Sequence, residues 1–284
     1  MKKCLIVVNS FKERALPLGE EIRSFLAERG VSSVLFTYNG ADAGSEEVSV
    51  SFEGYDLVLT LGGDGTVLFA CRGCAPLGIP VFAINLGEFG FLASIQVDEW
   101  QEQLERYLDG RSLVSERSLI EAEVLRGGKT VFLTSGMNDI VVSSSASSRL
   151  INLKVAYNHA LLGPFKANGL IVSTATGSTA YAAAAGGPIM EPSLDTMLLT
   201  PISSFSLSAR PLVFGSGGEI VITVLPSRVD VGLTADGQVS FGLCEGDVVI
   251  VGVLKSRARL VAATQETFYA ALQSKLNWAG GPRA

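Results

Sequence analysis

The spacing of apolar positions along this chain changes near residue 112. Before that point, continuous apolar runs alternate with runs at helical spacing. Leu5 to Val8 is a continuous run, as expected of a strand covered on both faces. Leu18, Ile22, Phe25 and Leu26 recur at helical spacing, with Pro17 near the start and Gly30 as the stop. Val34 to Tyr38 predicts a second strand, residues 40 to 54 a loop, and Leu57 to Leu61 a third, buried strand. Val67 to Cys71 begins a helix, Ile79 to Ile84 is a fourth strand, and Trp100, Leu104 and Leu108 mark a helix that Gly110 closes. This alternation predicts a parallel sheet with helices on both faces.

Beyond residue 112 the period becomes two. Ile120, Ala122 and Val124 alternate with Glu121 and Glu123, and Gly127-Gly128 predicts a hairpin turn into Val131 to Leu133. Ile151, Leu153, Val155 and Tyr157 alternate with Asn152, Lys154 and Ala156, and Ile220, Ile222 and Val224 repeat the pattern. Asp236-Gly237 predicts another turn and Val248 to Leu254 another strand. Ser143 to Ser148 reads as a polar loop tip. The expected fold is an α/β domain with a parallel sheet over 1–112, then a mostly antiparallel β-sandwich over 113–263. Phe268, Leu272 and Leu276 form a final helix, within 264–284, whose stripe can dock on either domain.

Composition narrows the function. The 284 residues are 48% hydrophobic and only 18% charged, so large cores are expected, and the formal charge is −6. That balance argues against a nucleic-acid surface or an anionic membrane face, both of which need basic patches. Met1-Lys2-Lys3 before an apolar run mimics a leader, but the run is short and polar residues follow, so a strand is expected. The uncharged stretch from Ala167 to Met190 is too rich in Ser, Thr and Gly for a spanning helix. A cytoplasmic protein is expected. Cys71 and Cys74 form a CxxC, yet no second pair exists and His159 is the only histidine. Together with Cys4 and Cys244 they read as reduced, packed thiols. His159, beside the turn residue Asn158, is expected to face solvent.

The strongest local signal is the strand Leu57 to Leu61 followed by Gly62-Gly63-Asp64-Gly65-Thr66 and a helix. It lies at the carboxyl end of a parallel strand, where open α/β sheets bind ligands. Glycines let the backbone approach a ligand, and a helix N-terminus suits a phosphate. A carboxylate in that turn can bind Mg²⁺ bridging nucleotide phosphates or take the proton of an attacking hydroxyl. The plain alternative is a tight turn in which Asp64 caps the helix. The spacing is neither a Walker A nor a Rossmann fingerprint.

Two further segments accompany it. Asn85-Leu86-Gly87-Glu88-Phe89-Gly90-Phe91-Leu92 follows the next strand, so both loops are expected at one edge of the sheet. Phe89 and Phe91 can flank an aromatic base, and Phe91 can equally be a core aromatic. Gly169 to Tyr181 runs from a buried-looking strand into six hydroxyl residues, then an alanine-rich helical stretch ended by Gly186-Gly187-Pro188. Small hydroxyls and free amides can bind ribose and phosphate without net charge; the plain alternative is a helix cap.

With these residues in view the chain resembles the NAD kinase family. The matching segments are LGGDGT (61–66), NLGEFGFL (85–92), Asn138-Asp139, GLIVSTATGSTAY (169–181), GGPI (186–189), SLSARPLV (206–213), ADGQ (235–238) and LNW (276–278). The glycine turn alone is shared with diacylglycerol and sphingosine kinases and phosphofructokinase; the block at 169–181 separates this chain from them. The resemblance implies an ATP- and Mg²⁺-dependent transfer of a phosphate to the 2′-hydroxyl of NAD's adenosine ribose. It also implies a homodimer or homotetramer and a last helix returning to the first domain. It makes Asp64 the catalytic carboxylate, with Gly65 and Phe91 lining the NAD site; the backbone amides of Gly62, Gly63, Asp64, Gly65 and Thr66 are expected to hold the ATP phosphates, with Asn85 a further binding residue. Asn138 and Asp139 match a substrate-contacting pair, and Thr176, Ser178, Thr179 and Tyr181 match residues around the adenosine. Asn168 is a further contact. The chain departs from the family with Asp139 for Glu, Asn168 for Asp, Ala175 for Pro and Phe205 for His, as tuning of substrate contacts. Rival readings are a lipid kinase and a dinucleotide-binding regulator without activity.

Overall fold

The structure, a computed structural model, describes residues 1–40, 50–87, 90–145 and 149–276. Most of the loop expected over 40 to 54, Glu88 and Phe89, the tip of the Ser143 to Ser148 loop, and Asn277 and Trp278 of the last motif lie outside the described residues. The chain divides into two compact units, Met1–Glu116 with Arg257–Ala284, and Arg117–Ser256.

In chain order the elements are β1 (Lys3–Asn9), α1 (Ala15–Glu28), β2 (Ser32–Tyr38), β3 (Leu57–Gly62), α2 (Asp64–Cys74), β4 (Pro80–Asn85), α3 (Trp100–Leu108), β5 (Val114–Arg126), β6 (Lys129–Gly136) and β7 (Asp139–Ser144). There follow β8 (Ile151–Tyr157), β9 (Ala160–Ala167), β10 (Gly169–Thr174), α4 (Tyr181–Ala184), β11 (Thr196–Ile202), β12 (Leu212–Gly215), β13 (Glu219–Val224), β14 (Val231–Ala235), β15 (Val239–Leu243), β16 (Val248–Val261) and α5 (Gln265–Leu276).

In the first unit the strands run parallel in the order β2-β1-β3-β4, and Arg259 and Leu260 of β16 pair parallel with Pro80 and Val81 of β4. Every residue of β3 and β4 is buried, which is why these strands read as nearly continuous apolar runs, with Thr60 and the terminal Asn85 the polar members. On one face Leu18, Ile22, Phe25 and Leu26 of α1 and Trp100 and Leu104 of α3 form a core with Ile6, Leu59 and Phe82. On the other, Phe69 of α2 stacks on Tyr38 at 4.3 Å between ring centres. The chain leaves β1 for β2 on one side and returns to β3 on the other. The carboxyl ends of β1 and β3 therefore flank the point where the winding reverses, the ligand crevice of such sheets.

The second unit holds two sheets. One runs β12-β11-β10-β7-β14-β15, antiparallel throughout. In the other, β16, β13, β8 and β9 pair antiparallel, and β5 and β6 form a hairpin. Between the sheets Ile120, Leu153 and Ile222 meet Ile140, Leu170 and Leu233 in one core. The period of two seen in β8 and β13 follows from this: one face of each strand enters the sandwich and the other does not.

Some expectations need correcting. Cys4, Cys71 and Cys74 are buried free thiols, but Cys244 is exposed, because it lies in the turn between β15 and β16. The helix expected from Val67 starts at Asp64, and the strand expected over Val248 to Leu254 runs on to Val261. On α5, Phe268 and Leu272 are buried but Leu276, at the helix end, is 47% exposed. The helical stretch after Thr179 is a single turn, Tyr181–Ala184. No helix among the described residues is long and apolar enough to cross a membrane.

One ion pair in the second unit carries a test. Asp247 is fully buried and accepts hydrogen bonds from Arg126 Nε at 2.9 Å and Nη2 at 2.8 Å, and from the Cys244 amide. The Arg126 side-chain bonds hold the Asp247 carboxyl below its ordinary range. Arg126→Met leaves this carboxylate without its guanidinium partner and is expected to destabilise the fold at pH 7, by less than the loss of a fully desolvated pair because Arg126 is partly exposed. A depressed folded-state value means that this stability is present above the unfolded carboxylate range and lost as pH falls through the folded one. Chemical denaturation of both proteins between pH 7 and pH 3 is expected to show the difference shrinking toward the acid end.

Candidate active site

β3 ends at Gly62, and α2 begins at Asp64 with Gly63 as its N-cap in extended conformation. The turn is held from inside. Thr66 donates its amide to the Gly63 carbonyl at 3.0 Å, and Asn9, the last residue of β1, donates its side-chain amide to Thr66 Oγ1 at 3.0 Å. The Leu86 amide donates to the Gly62 carbonyl at 2.8 Å, tying the end of β4 to the end of β3. Asn85 is buried, and its Oδ1 accepts the Gly87 amide at 3.0 Å. Not every amide from Gly62 to Thr66 is open to a phosphate. The Thr66 donor is used within the turn, whereas the amides of Gly63 and Asp64 form no hydrogen bond among the described residues. These two donors stand at the first turn of a helix, where an anion is favoured.

Asp64 does not cap its own helix. Its Oδ2 accepts the Phe91 amide at 3.0 Å, and its Oδ1 accepts the amides of Leu92 and Ala93, each at 3.1 Å. Gly90 makes this possible: a Cβ there would overlap Asp64 Oδ1. Oδ1 thus has both acceptor positions filled, while among the described residues Oδ2 keeps one open. Phe91 is half-buried, 6.1 Å from the Phe268 ring of α5, and the Lys275 ammonium stands 5.3 Å from its ring centre. The core-aromatic and ligand readings of Phe91 share these contacts.

In the second unit the hydroxyl-rich segment folds onto the Asn138-Asp139 pair. Asp139 opens β7 opposite Ser173 of β10. Thr174 Oγ1 donates to the Met137 carbonyl at 2.6 Å and accepts the Gly177 amide at 3.1 Å. Ser178 Oγ accepts the Met190 amide at 2.6 Å, joining this segment to Gly187-Pro188-Ile189-Met190. Thr179 Oγ1 donates to the Thr176 carbonyl at 3.3 Å. The Thr176 hydroxyl is buried and has no hydrogen-bond partner among the described residues, the kind of group a ligand or water satisfies. A cavity of about 400 Å³ is lined by Asn138, Asp139, Ala180, Tyr181, Asp236 and Gly237, among others. Burial, and then the charge of Asp236, push the Asp139 carboxyl up to about 7.

Asn168 lies apart from this cluster. It precedes β10 at the end opposite Ser173 and Thr174, and its side-chain amide donates to the Arg149 carbonyl at 3.0 Å. His159 is exposed at the turn after Asn158, whose φ is 52°. Among the described residues no group of three His, Cys, Asp or Glu side chains could hold a metal by itself. The open position on Asp64 Oδ2 does fit a Mg²⁺ that arrives on nucleotide phosphates, since that ion commonly uses one or two carboxylates and keeps its other positions for phosphate and water.

Sequence reasoning missed four residues. Asn9 is at the switch point, and Lys12 follows it with its ammonium 3.4 Å from where a Cβ on Gly87 would stand. Gly90 was read as part of a loop and of the NLGEFGFL segment, with no role of its own. Asp236 was read as a turn residue and as part of the ADGQ segment, with no role of its own, yet its carboxylate accepts the amides of Met137, Asn138 and Asp139. The sole sequence signal for Asn9 was its place at the end of the first buried strand.

Comparison with known proteins follows the same outline. Residues 4–112 match the ATP-NAD kinase N-terminal domain and residues 137–263 the ATP-NAD kinase C-terminal domain. An NAD kinase of Treponema denticola is 44% identical over 281 residues, covering 99% of this chain and 98% of that one. An NAD kinase of Desulforamulus reducens is 38% identical, covering 97% and 98%. Among solved structures, yeast NADH kinase complexed with NADH superposes with a TM-score of 0.86 at 24% identity, over 99% of this chain and 89% of that one. An NAD kinase from Archaeoglobus fulgidus in complex with ATP gives 0.76 at 23%, over 98% and 100%. At such identities the structures speak for the fold, and the sequence matches speak for the family: this chain belongs to the NAD kinase family.

Proposed function

We propose that the protein transfers the γ-phosphate of ATP to the 2′-hydroxyl of the adenosine ribose of NAD, giving NADP and ADP. The observation that carries this reading is the Asp64 carboxylate, pinned by three amides at the sheet's switch point with one acceptor position open. A ribose hydroxyl is a poor nucleophile, and phosphoryl transfer asks mainly for in-line positioning and charge neutralisation. The free amides of Gly63 and Asp64 receive phosphate oxygens, and the Lys12 ammonium offsets their charge. Mg²⁺ would be held through the nucleotide phosphates and would supply further charge neutralisation, leaving the open position on Asp64 Oδ2 to the ribose hydroxyl. As the ribose oxygen bonds to the γ-phosphorus and the bond to the β–γ bridging oxygen breaks, the hydroxyl proton passes to Asp64 Oδ2.

The second unit supports the dinucleotide half of the reading. Its cavity joins the Asn138-Asp139 pair to Tyr181, and the orphan Thr176 hydroxyl sits in the adjoining turn. In this reading residues 1–112 with 264–284 form the phosphate-handling domain and 113–263 the dinucleotide-binding domain. Thr176, Ser178, Thr179 and Tyr181 surround the adenosine, and Phe91 faces a base. The protein acts as a cytoplasmic homodimer or homotetramer.

Incubation with NAD, ATP and Mg²⁺, with NADP read by a coupled dehydrogenase, is expected to give NADP in proportion to enzyme. ATP consumed only with a lipid acceptor, or dinucleotide bound without ATP consumption, overturns the reading. Asp64→Asn is expected to lower turnover by at least about a hundredfold, near the low end of general-base effects. Asparagine also turns one acceptor toward an N–H donor, so thermal unfolding of the variant is measured beside its rate. Near-normal turnover dismisses the role of Asp64. Gly90→Ala displaces the carboxylate without changing its chemistry. It is expected to lower kcat by about a hundredfold, the scale of an ångström's misplacement, with the KM for NAD within a few-fold.

A further inference from the structure

We infer that Asp236 is a positioning residue: it fixes the Asn138-Asp139 pair for the dinucleotide from the turn between β14 and β15. The inference rests on the proposed NAD kinase activity and adds a residue to it. Asp236 and Gly237 both have positive φ, 51° and 67°, which makes the turn a tight type I′ connection. That turn aims the Asp236 carboxylate at three consecutive amides. Oδ2 accepts from Met137 at 2.9 Å, and Oδ1 accepts from Asn138 at 2.7 Å and Asp139 at 3.1 Å. The Asp236 amide donates in return to the Asp139 carbonyl at 2.9 Å.

The same segment is gripped from β10. The Asn138 carbonyl accepts the Thr174 amide at 2.9 Å and Ser173 Oγ at 3.0 Å, and the Met137 carbonyl accepts Thr174 Oγ1. A Cβ on Gly177 would overlap the Asn138 backbone, so the contact is as close as the chain allows. Both the donors and the acceptors of 137–139 are thus tied down, and the Asn138 and Asp139 side chains line the cavity from a backbone with little freedom to shift. Charge-assisted hydrogen bonds of this kind are the stronger ones, and ångström errors in a binding site are costly.

Asp236 also acts on Asp139 through its charge. The groups around Asp139 are Asn138 beside it, Ser173 opposite on β10, Tyr181 of α4 across the cavity and Asp236 from the β14–β15 turn. Burial first, and then the charge of Asp236, the charged one of these described groups, keep the Asp139 proton on toward neutral pH. Removing that charge therefore moves the titration of Asp139 to lower pH, a change that a purely structural role for Asp236 would not produce.

The test uses the full chain. For wild type and Asp236→Asn, initial rates are measured over pH 5.5 to about 9 with NAD and ATP varied separately, and unfolding is followed by heat. Asp236→Asn is expected to raise the KM for NAD by about tenfold or more while the KM for ATP stays within about twofold. The inflection of kcat/KM for NAD near neutral pH is expected at lower pH in the variant. Binding is checked without turnover, since NAD should raise the unfolding temperature of wild type but not of the variant, and ATP should raise both alike. Unchanged KM for NAD, or an unmoved inflection, overturns the inference while leaving the kinase reading intact; wild type that makes no NADP overturns the kinase reading first. Should Asp236→Asn not fold, Ser173→Ala loosens the same carbonyl from the other side. A few-fold rise in the KM for NAD alone then supports the inference, and an equal change for both substrates overturns it.

Discussion

Asp64 accepts hydrogen bonds from three consecutive backbone amides, and the first unit's site is arranged around that fact. To move, the carboxylate would have to leave three N–H donors unsatisfied, each at a cost comparable to a lost hydrogen bond. The bonds also join two segments that follow neighbouring parallel strands, the turn after β3 and the loop after β4. A group fixed before substrate arrives needs no reorganisation when charge develops, which is the main way such sites lower barriers. Gly90 is required because only a hydrogen fits against Asp64 Oδ1.

The second unit repeats the device with a different outcome. Asp236 also accepts three consecutive amides, but there the carboxylate holds a backbone, and the side chains that meet the cavity belong to the residues it holds. Asp139, beside it, is buried and pushed toward neutrality. Two neighbouring carboxyl groups are thereby made unlike, one given over to N–H donors and one left facing the cavity. Divergent surroundings of this kind are how a single residue type takes two tasks.

The supports beneath both sites differ as the physics of their sheets requires. Parallel strands buried on both faces present a site at their ends, where the last residues Asn9, Gly62 and Asn85 come together. Antiparallel strands of a sandwich present it through turns and strand starts, so Asp139 and Asp236 reach the cavity from the rim. The buried and unpaired Thr176 hydroxyl belongs to the same rim, and the open acceptor of Asp64 to the end of the parallel sheet.

What the sequence by itself determined was whatever depends on near neighbours. The runs Leu5 to Val8 and Leu57 to Leu61, the period of two in β8 and β13, the glycine turn and the Asp236-Gly237 hairpin are local patterns, and each forms where its spacing says. The family motifs added expected roles for Asp64, Asn138 and Asp139, which no periodicity contains. Tertiary structure alone decided which groups hold these residues in place. Asn9 meets Thr66 across 57 positions, Asp64 meets Ala93 across 29, and Asp236 meets Met137 across 99. Asn168, close to Ser173 along the chain, is carried to the far end of its strand. Hydrogen bonds between distant segments leave no repeat in the sequence, because their partners are chosen by strand order and register, and those are set by the packing of the whole core.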